Sequence, residues 1–114
     1  MSPKYLSRAK RRDAIAQGLQ KELDKVTTVI AELSLEDSKS DLEDLKTELE
    51  EAKENMPENL QQSPRAEALE EAANQLEEAA QALEEAKDAL DTLLNKVQEA
   101  IDAAYNADFP GMYG

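Results

Sequence analysis

Cysteine and histidine are both absent from these 114 residues. Without cysteine there is no disulfide framework, no thiolate nucleophile and no Cys-based zinc site. Without histidine, Ser-His-Asp and Cys-His chemistry is excluded and the commonest acid/base group at neutral pH is missing. Tryptophan is also absent, and the aromatics are only Tyr5, Tyr105, Phe109 and Tyr113. A globular core packed around large rings is therefore not expected. No apolar run approaches the length of about 18 residues that a membrane-spanning helix needs. The charged start, MSPKYLSRAKRR, is not followed by an apolar segment, so the expected location is the cytoplasm. There is no Gly-rich phosphate loop, EF-hand loop or HExxH motif. Carboxylates on exposed helices lack the burial that would shift their pKa toward neutrality. Neither catalysis, nor a cofactor, nor a metal site is expected.

What the chain has is a repeat of seven. Eight blocks begin with an aliphatic residue, at Leu35, Leu42 and Leu49 and again at Leu69, Leu76, Leu83, Leu90 and Val97, and most continue with two carboxylates. Apolar residues at the first and fourth positions of such blocks are the pattern by which helices wind round one another. In the last segment the fourth position reads Ala72, Ala79, Ala86, Leu93 and Ala100. Leucine alternating with alanine lets antiparallel helices approach closely. The expected fold is all-α: an antiparallel coiled-coil hairpin of two long helices, the first kinked near residues 34–40.

Ser7 is a candidate N-cap. Beyond it Ile15, Leu19, Leu23, Val26, Ile30 and Leu33 are spaced as one helical stripe. Gly18 and the β-branched run Val26–Ile30 lower helix propensity there, so tertiary contacts are needed. At Leu35 a new stripe of Leu35, Leu42, Leu45, Leu49, Ala52 and Met56 begins, rotated by roughly 100–140° about the helix axis from the first. Ser40 and Glu43 fit a capping box, but the unbroken heptads from Leu35 favour a continuous or kinked helix. Met56-Pro57 ends that helix. In the turn at 57–63 Leu60 is placed to cover the end of the seam, Ser63 caps the next helix and Pro64 takes its first position. Segments 7–56 and 64–105 would span about 75 Å and 63 Å. The tail, 106–114, holds Phe109, Pro110 and Tyr113 and is expected to fold back over the open end of the hairpin. The chain thus divides into a basic tip at 1–12, an acidic hairpin at 13–105 and an aromatic tail. Because a narrow seam buries little apolar area, self-association is expected.

The net charge of −13 is unevenly distributed. Residues 1–12 carry five bases and no acid, leaving 26 acids against eight bases in the remainder. Three surfaces are candidates for function. The first is the stripe Leu19, Leu23, Val26, Ile30 and Leu33, which the hairpin heptads do not account for and which would bind a partner. The second is the acidic face, Glu70, Glu71, Glu77, Glu78, Glu84 and Glu85, whose carboxylate pairs recur about every 10.5 Å along the helix. Such an array would occupy the cationic groove of a nucleic-acid-binding protein. The third is the basic tip, Arg8, Lys10, Arg11 and Arg12, whose cations oppose the helix macrodipole and call for compensation. Direct nucleic-acid binding is not expected of it, because no reading motif accompanies the charges. Lys39, Lys46, Lys53 and Lys87 each follow a glutamate by three residues and are expected to support their own helix.

Met-Pro-Glu-Asn-Leu-Gln at 56–61, Ser63, the LEEA-type helix and Asp-Phe-Pro-Gly-Met at 108–112 together resemble small hypothetical proteins of bacteriophages and other mobile elements. The resemblance covers about residues 42–112, with the turn and tail its specific parts. It implies a setting and no mechanism. In that setting the expected role is non-catalytic, binding a host protein to redirect or inhibit it. Alternatives are an acidic nucleic-acid mimic, a virion or assembly component, and a ligand-sequestering oligomer.

Overall fold

The computed structural model describes residues 7–109, and every regular element among them is helical: α1 (Arg8–Glu32), α2 (Leu35–Glu54), a short 3₁₀ turn (Glu58–Leu60) and α3 (Pro64–Asn106). None of these helices is long and apolar enough to cross a membrane. Where two long helices were expected there are three, because the first breaks at a single residue. Ser34 takes a left-handed conformation, φ 51° and ψ 48°, and is the one non-glycine residue with positive φ among the described residues. That conformation costs about 1–2 kcal/mol for a residue with a Cβ. It ends α1 cleanly: the Leu33 amide donates to Val29 and Ile30, and a new ladder starts with Ser38 donating to the Ser34 carbonyl. Ser40 lies inside α2 and caps nothing.

The other helix ends follow the sequence. The Ser7 hydroxyl accepts from the Lys10 amide at 3.1 Å. The Ser63 hydroxyl accepts from the Ala66 amide at 3.3 Å, with Pro64 opening α3. The Gln61 side chain donates to the carbonyls of Glu54 and Met56 and so closes the end of α2. Leu60 does not cover the seam; it is exposed.

The chain packs as two units. One comprises α2 and α3 as far as Ala89. Here Ala66, Ala73 and Ala80 are buried, with Leu69, Leu76 and Leu83 half-buried beside them. The seam on α3 is therefore deepest at the position three residues before each leucine, and the expected Ala72, Ala79 and Ala86 are half-buried beside it. The small residue sits where the backbones come closest and leucine fills the flank. On α2 the half-buried positions are Leu35, Leu42 and Leu49, alternating with Lys39, Lys46 and Lys53, and Met56 just beyond its end is half-buried too; Leu45 and Ala52 are exposed. The lysines do not chiefly serve their own helix. Lys39 pairs with Glu84 at 3.5 Å, Lys46 with Glu77 at 2.8 Å, Lys53 with Glu70 at 2.6 Å and Lys87 with Glu36 at 3.2 Å. Each step of seven forward on α2 is a step of seven back on α3, which defines an antiparallel register.

The other unit comprises α1 and α3 from Leu90. Its core is Ala16, Leu23 and Ile101, with Leu94, Val97 and Ala104 packed against it. Beside the core, Gln20 and Gln98 exchange amide hydrogen bonds in both directions, at 3.2 and 3.0 Å. Each also donates to an aspartate four residues on, Asp24 or Asp102. A paired polar group on an apolar seam favours one register, because any slip breaks both hydrogen bonds between the helices. The hydroxyls of Thr27 and Thr28 bond back to the carbonyls of Leu23 and Asp24, so neither leaves an unpaired donor on this β-branched run.

Candidate functional site

α1 has two apolar faces. At about 100° per residue, Ala16, Leu23 and Ile30 lie on one side of the helix, while Ile15, Leu19, Val26, Val29 and Leu33 lie within a strip about 80° wide on the adjacent side. The first face is satisfied within its unit: Ala16 is fully buried, Leu23 is 8% exposed and Ile30 is half-buried. The second is not. Ile15 is 60% exposed, Leu19 41%, Val26 42%, Val29 58% and Leu33 54%. The structure thus separates the five residues expected to bind a partner. Leu23 belongs to the internal core, Ile30 borders it, and Leu19, Val26 and Leu33 form an open strip with Ile15 and Val29. The sequence pattern merged the two faces because residues 23 and 30 are spaced acceptably for either. Only contact with Ile101 decides between them.

Of the basic tip, Arg12 has an internal role. Its Nη1 donates to the carbonyls of Ala104 at 3.1 Å, Tyr105 at 3.2 Å and Ala107 at 2.7 Å, and its Nε donates to Asp13 at 2.6 Å. The guanidinium also lies over the Phe109 ring, 5.4 Å from its centroid, in cation–π contact. α3 has no base in its own last turn, so α1 supplies the cation its C-terminal carbonyls attract. This contact compensates Arg12 for its place near the start of α1. Arg8, Lys10 and Arg11 remain exposed. An open groove of about 500 Å³ lies among Arg8, Arg11, Arg12, Ile15, Ala104 and Phe109. Of the expected fold-back of the tail, the half-buried Phe109 is the described part; residues 110–114 lie outside the described residues, as do 1–6 of the basic tip.

The acidic face is divided as well. Glu70, Glu77 and Glu84 are engaged across the hairpin by Lys53, Lys46 and Lys39. The hydrogen bond from Lys53 holds the Glu70 carboxyl below the usual carboxylate range, and that from Lys46 does the same for Glu77. Lys46 is raised in turn, chiefly by its bond to Glu77. Glu71, Glu78 and Glu85 point outward, with Glu71 accepting from Gln75. One carboxylate of each pair is thus neutralised in place, which halves the array available to a cationic groove.

The sequence reading missed the lysine ladder and the glutamine pair. The signal for the first was present: Lys39, Lys46 and Lys53 have the same period as Glu70, Glu77 and Glu84. The glutamines gave none, since only the docking of α1 brings residues 78 apart together. Among the described residues, no cluster of three or more aspartates and glutamates is arranged to hold a metal ion. Comparison with protein-family models, with curated proteins and with solved structures finds no match.

Proposed function

We propose that this chain is a non-catalytic helical interaction protein, built as an antiparallel coiled coil, that docks a protein partner on the open strip of α1. The observation that carries the reading is the alignment of Ile15, Leu19, Val26, Val29 and Leu33 in one exposed apolar strip on a helix whose other apolar face is already used. Scattered exposed apolar residues need no explanation, but a row at helical spacing, interrupted only by Glu22, matches the way amphipathic helices seat against other helices. In the phage or mobile-element setting that the turn and tail resemble, the end served is the redirection or inhibition of a host protein in the cytoplasm.

The test uses Leu19→Asp and Val29→Asp, because Leu23 is a core residue and its loss would unfold the unit instead of reporting on binding. Tagged wild-type chain is used to capture proteins from bacterial lysate at low and moderate salt. The expected result is a protein retained at both salt concentrations and lost with either variant while helicity is kept. Retention that disappears at moderate salt and depends on Glu71, Glu78 and Glu85 would transfer the function to acidic mimicry.

A further inference from the structure

The spacing of the open strip is a palindrome. Counting Glu22, which lies in the same row, the intervals from Ile15 to Leu33 are four, three, four, three and four. A row that reads the same in both directions can face its own copy turned end for end, with every position opposed by another position of the row. We infer that the occupant of this strip is α1 of a second copy of the chain, running antiparallel about a two-fold axis level with Asp24. This rests on the reading of the strip as a docking surface and names what first docks there. Ile15 then faces Leu33 of the second copy, Leu19 faces Val29, and Glu22 faces Val26, over a seam of about 27 Å.

Three features select this arrangement over a parallel one or a foreign helix. First, α1 is electrically polar along its length. Residues 8–21 carry five bases and one acid, and residues 22–33 carry three acids and one base. Antiparallel pairing sets opposite charges against each other, whereas parallel pairing sets like against like. Second, Glu22 is the one charged member of the row. In a parallel pair it would face Glu22 of the other copy. In the antiparallel pair it lies beside Val26, one residue from Lys25 of the second copy. Within one chain Glu22 and Lys25 form a 3.6 Å ion pair, each about two-thirds exposed, and the two-fold brings two such pairs together. Third, Gly18 lies on the rim of the strip. A glycine within a helix costs about 1 kcal/mol relative to alanine, yet a Cβ at Gly18 would meet nothing within 4 Å. No contact among the described residues explains this glycine; close approach of a second helix does. The pair is isologous and closed, so it stops at two chains.

The absence of cysteine makes the test specific. Sedimentation equilibrium of the full-length chain should give twice the 12.6 kDa chain mass. Leu19→Asp and Val29→Asp should each sediment as monomers with unchanged helicity. Under mild oxidation, a mixture of Leu19→Cys and Val29→Cys chains should cross-link as mixed dimers, at least tenfold more than Leu19→Cys chains with themselves. Preferential cross-linking of Leu19→Cys to itself would overturn the antiparallel register. A monomeric wild-type chain would overturn the second copy as occupant, yet leave the docking surface intact if lysate capture still failed with the aspartate variants. A dimer that survived both aspartate substitutions would overturn both the second copy on this strip and the need for the strip in assembly.

Discussion

The two units reach stability by different means. In the α1 unit a small apolar core of Ala16, Leu23 and Ile101 is flanked by a reciprocal glutamine pair and by an arginine that caps the end of α3. In the α2 unit the buried side chains are alanines, and the flanks are lysine–glutamate bridges repeated every seven residues. The first arrangement concentrates its energy in a few side chains, each with one correct partner. The second spreads it over repeats that resemble one another, so no single residue matters greatly. A repeating ladder also specifies register weakly, since a slip of one heptad would pair Lys46 with another glutamate. The αL break at Ser34 and the proline-bounded turn therefore carry more of the burden of fixing register in the α2 unit.

Substitutions should expose this contrast. The largest expected effect is that of Ile101→Ala, which removes the largest fully buried side chain and should cost about 3 kcal/mol, against about half that for Leu76→Ala in the other unit. Chemical denaturation of the two variants measures the difference, and equal losses would erase the distinction. Next is Arg12→Ala, which strips a cation from three carbonyls at the end of α3 and should cost about 2 kcal/mol. Arg12→Lys should recover only part of this, because a single ammonium lacks the planar fork. Amide exchange at residues 104–107 should accelerate in both.

The smallest effects belong to the ladder, and they follow pH. Glu70 and Glu77 have folded pKa values below their unfolded values, so their contribution is present above the unfolded value of about 4.3 and is lost as pH falls through the folded one. Lys46 is raised, so its contribution is complete below about 10.4 and is lost as pH rises through its folded value. As pH falls below about 4.3 the ladder bridges of Glu70 and Glu77 are lost and the melting temperature should fall. Lys46→Gln should flatten the acid limb without abolishing the hairpin. Added salt should raise the melting temperature of this variant more than that of the wild-type chain, since fewer attractive pairs remain to be screened.

Much of the architecture was legible in the chain. The caps at Ser7 and Ser63 depend on local chemistry and held at residue level; the stop expected at Met56-Pro57 came two residues early, at Glu54. The seam of α3 was displaced by one position because alanines occur at both Ala72 and Ala73, at Ala79 and Ala80, and composition cannot say which is closer to a neighbour. The break in the first helix was legible as a change of register but not as a break, since Ser34 has no glycine signature for its positive φ.

Residues within a turn or two of each other were enough to make this chain helical, to start and stop most of its helices and to make its exterior acidic. Helix docking alone settles which of two neighbouring apolar faces of α1 is core and which is free. It also makes Arg12 the cap of α3 and binds one glutamate of each pair to a lysine. Each of these depends on contacts between residues 17 to 95 positions apart, whose pairing is set by how the helices dock and not by the period of any one of them.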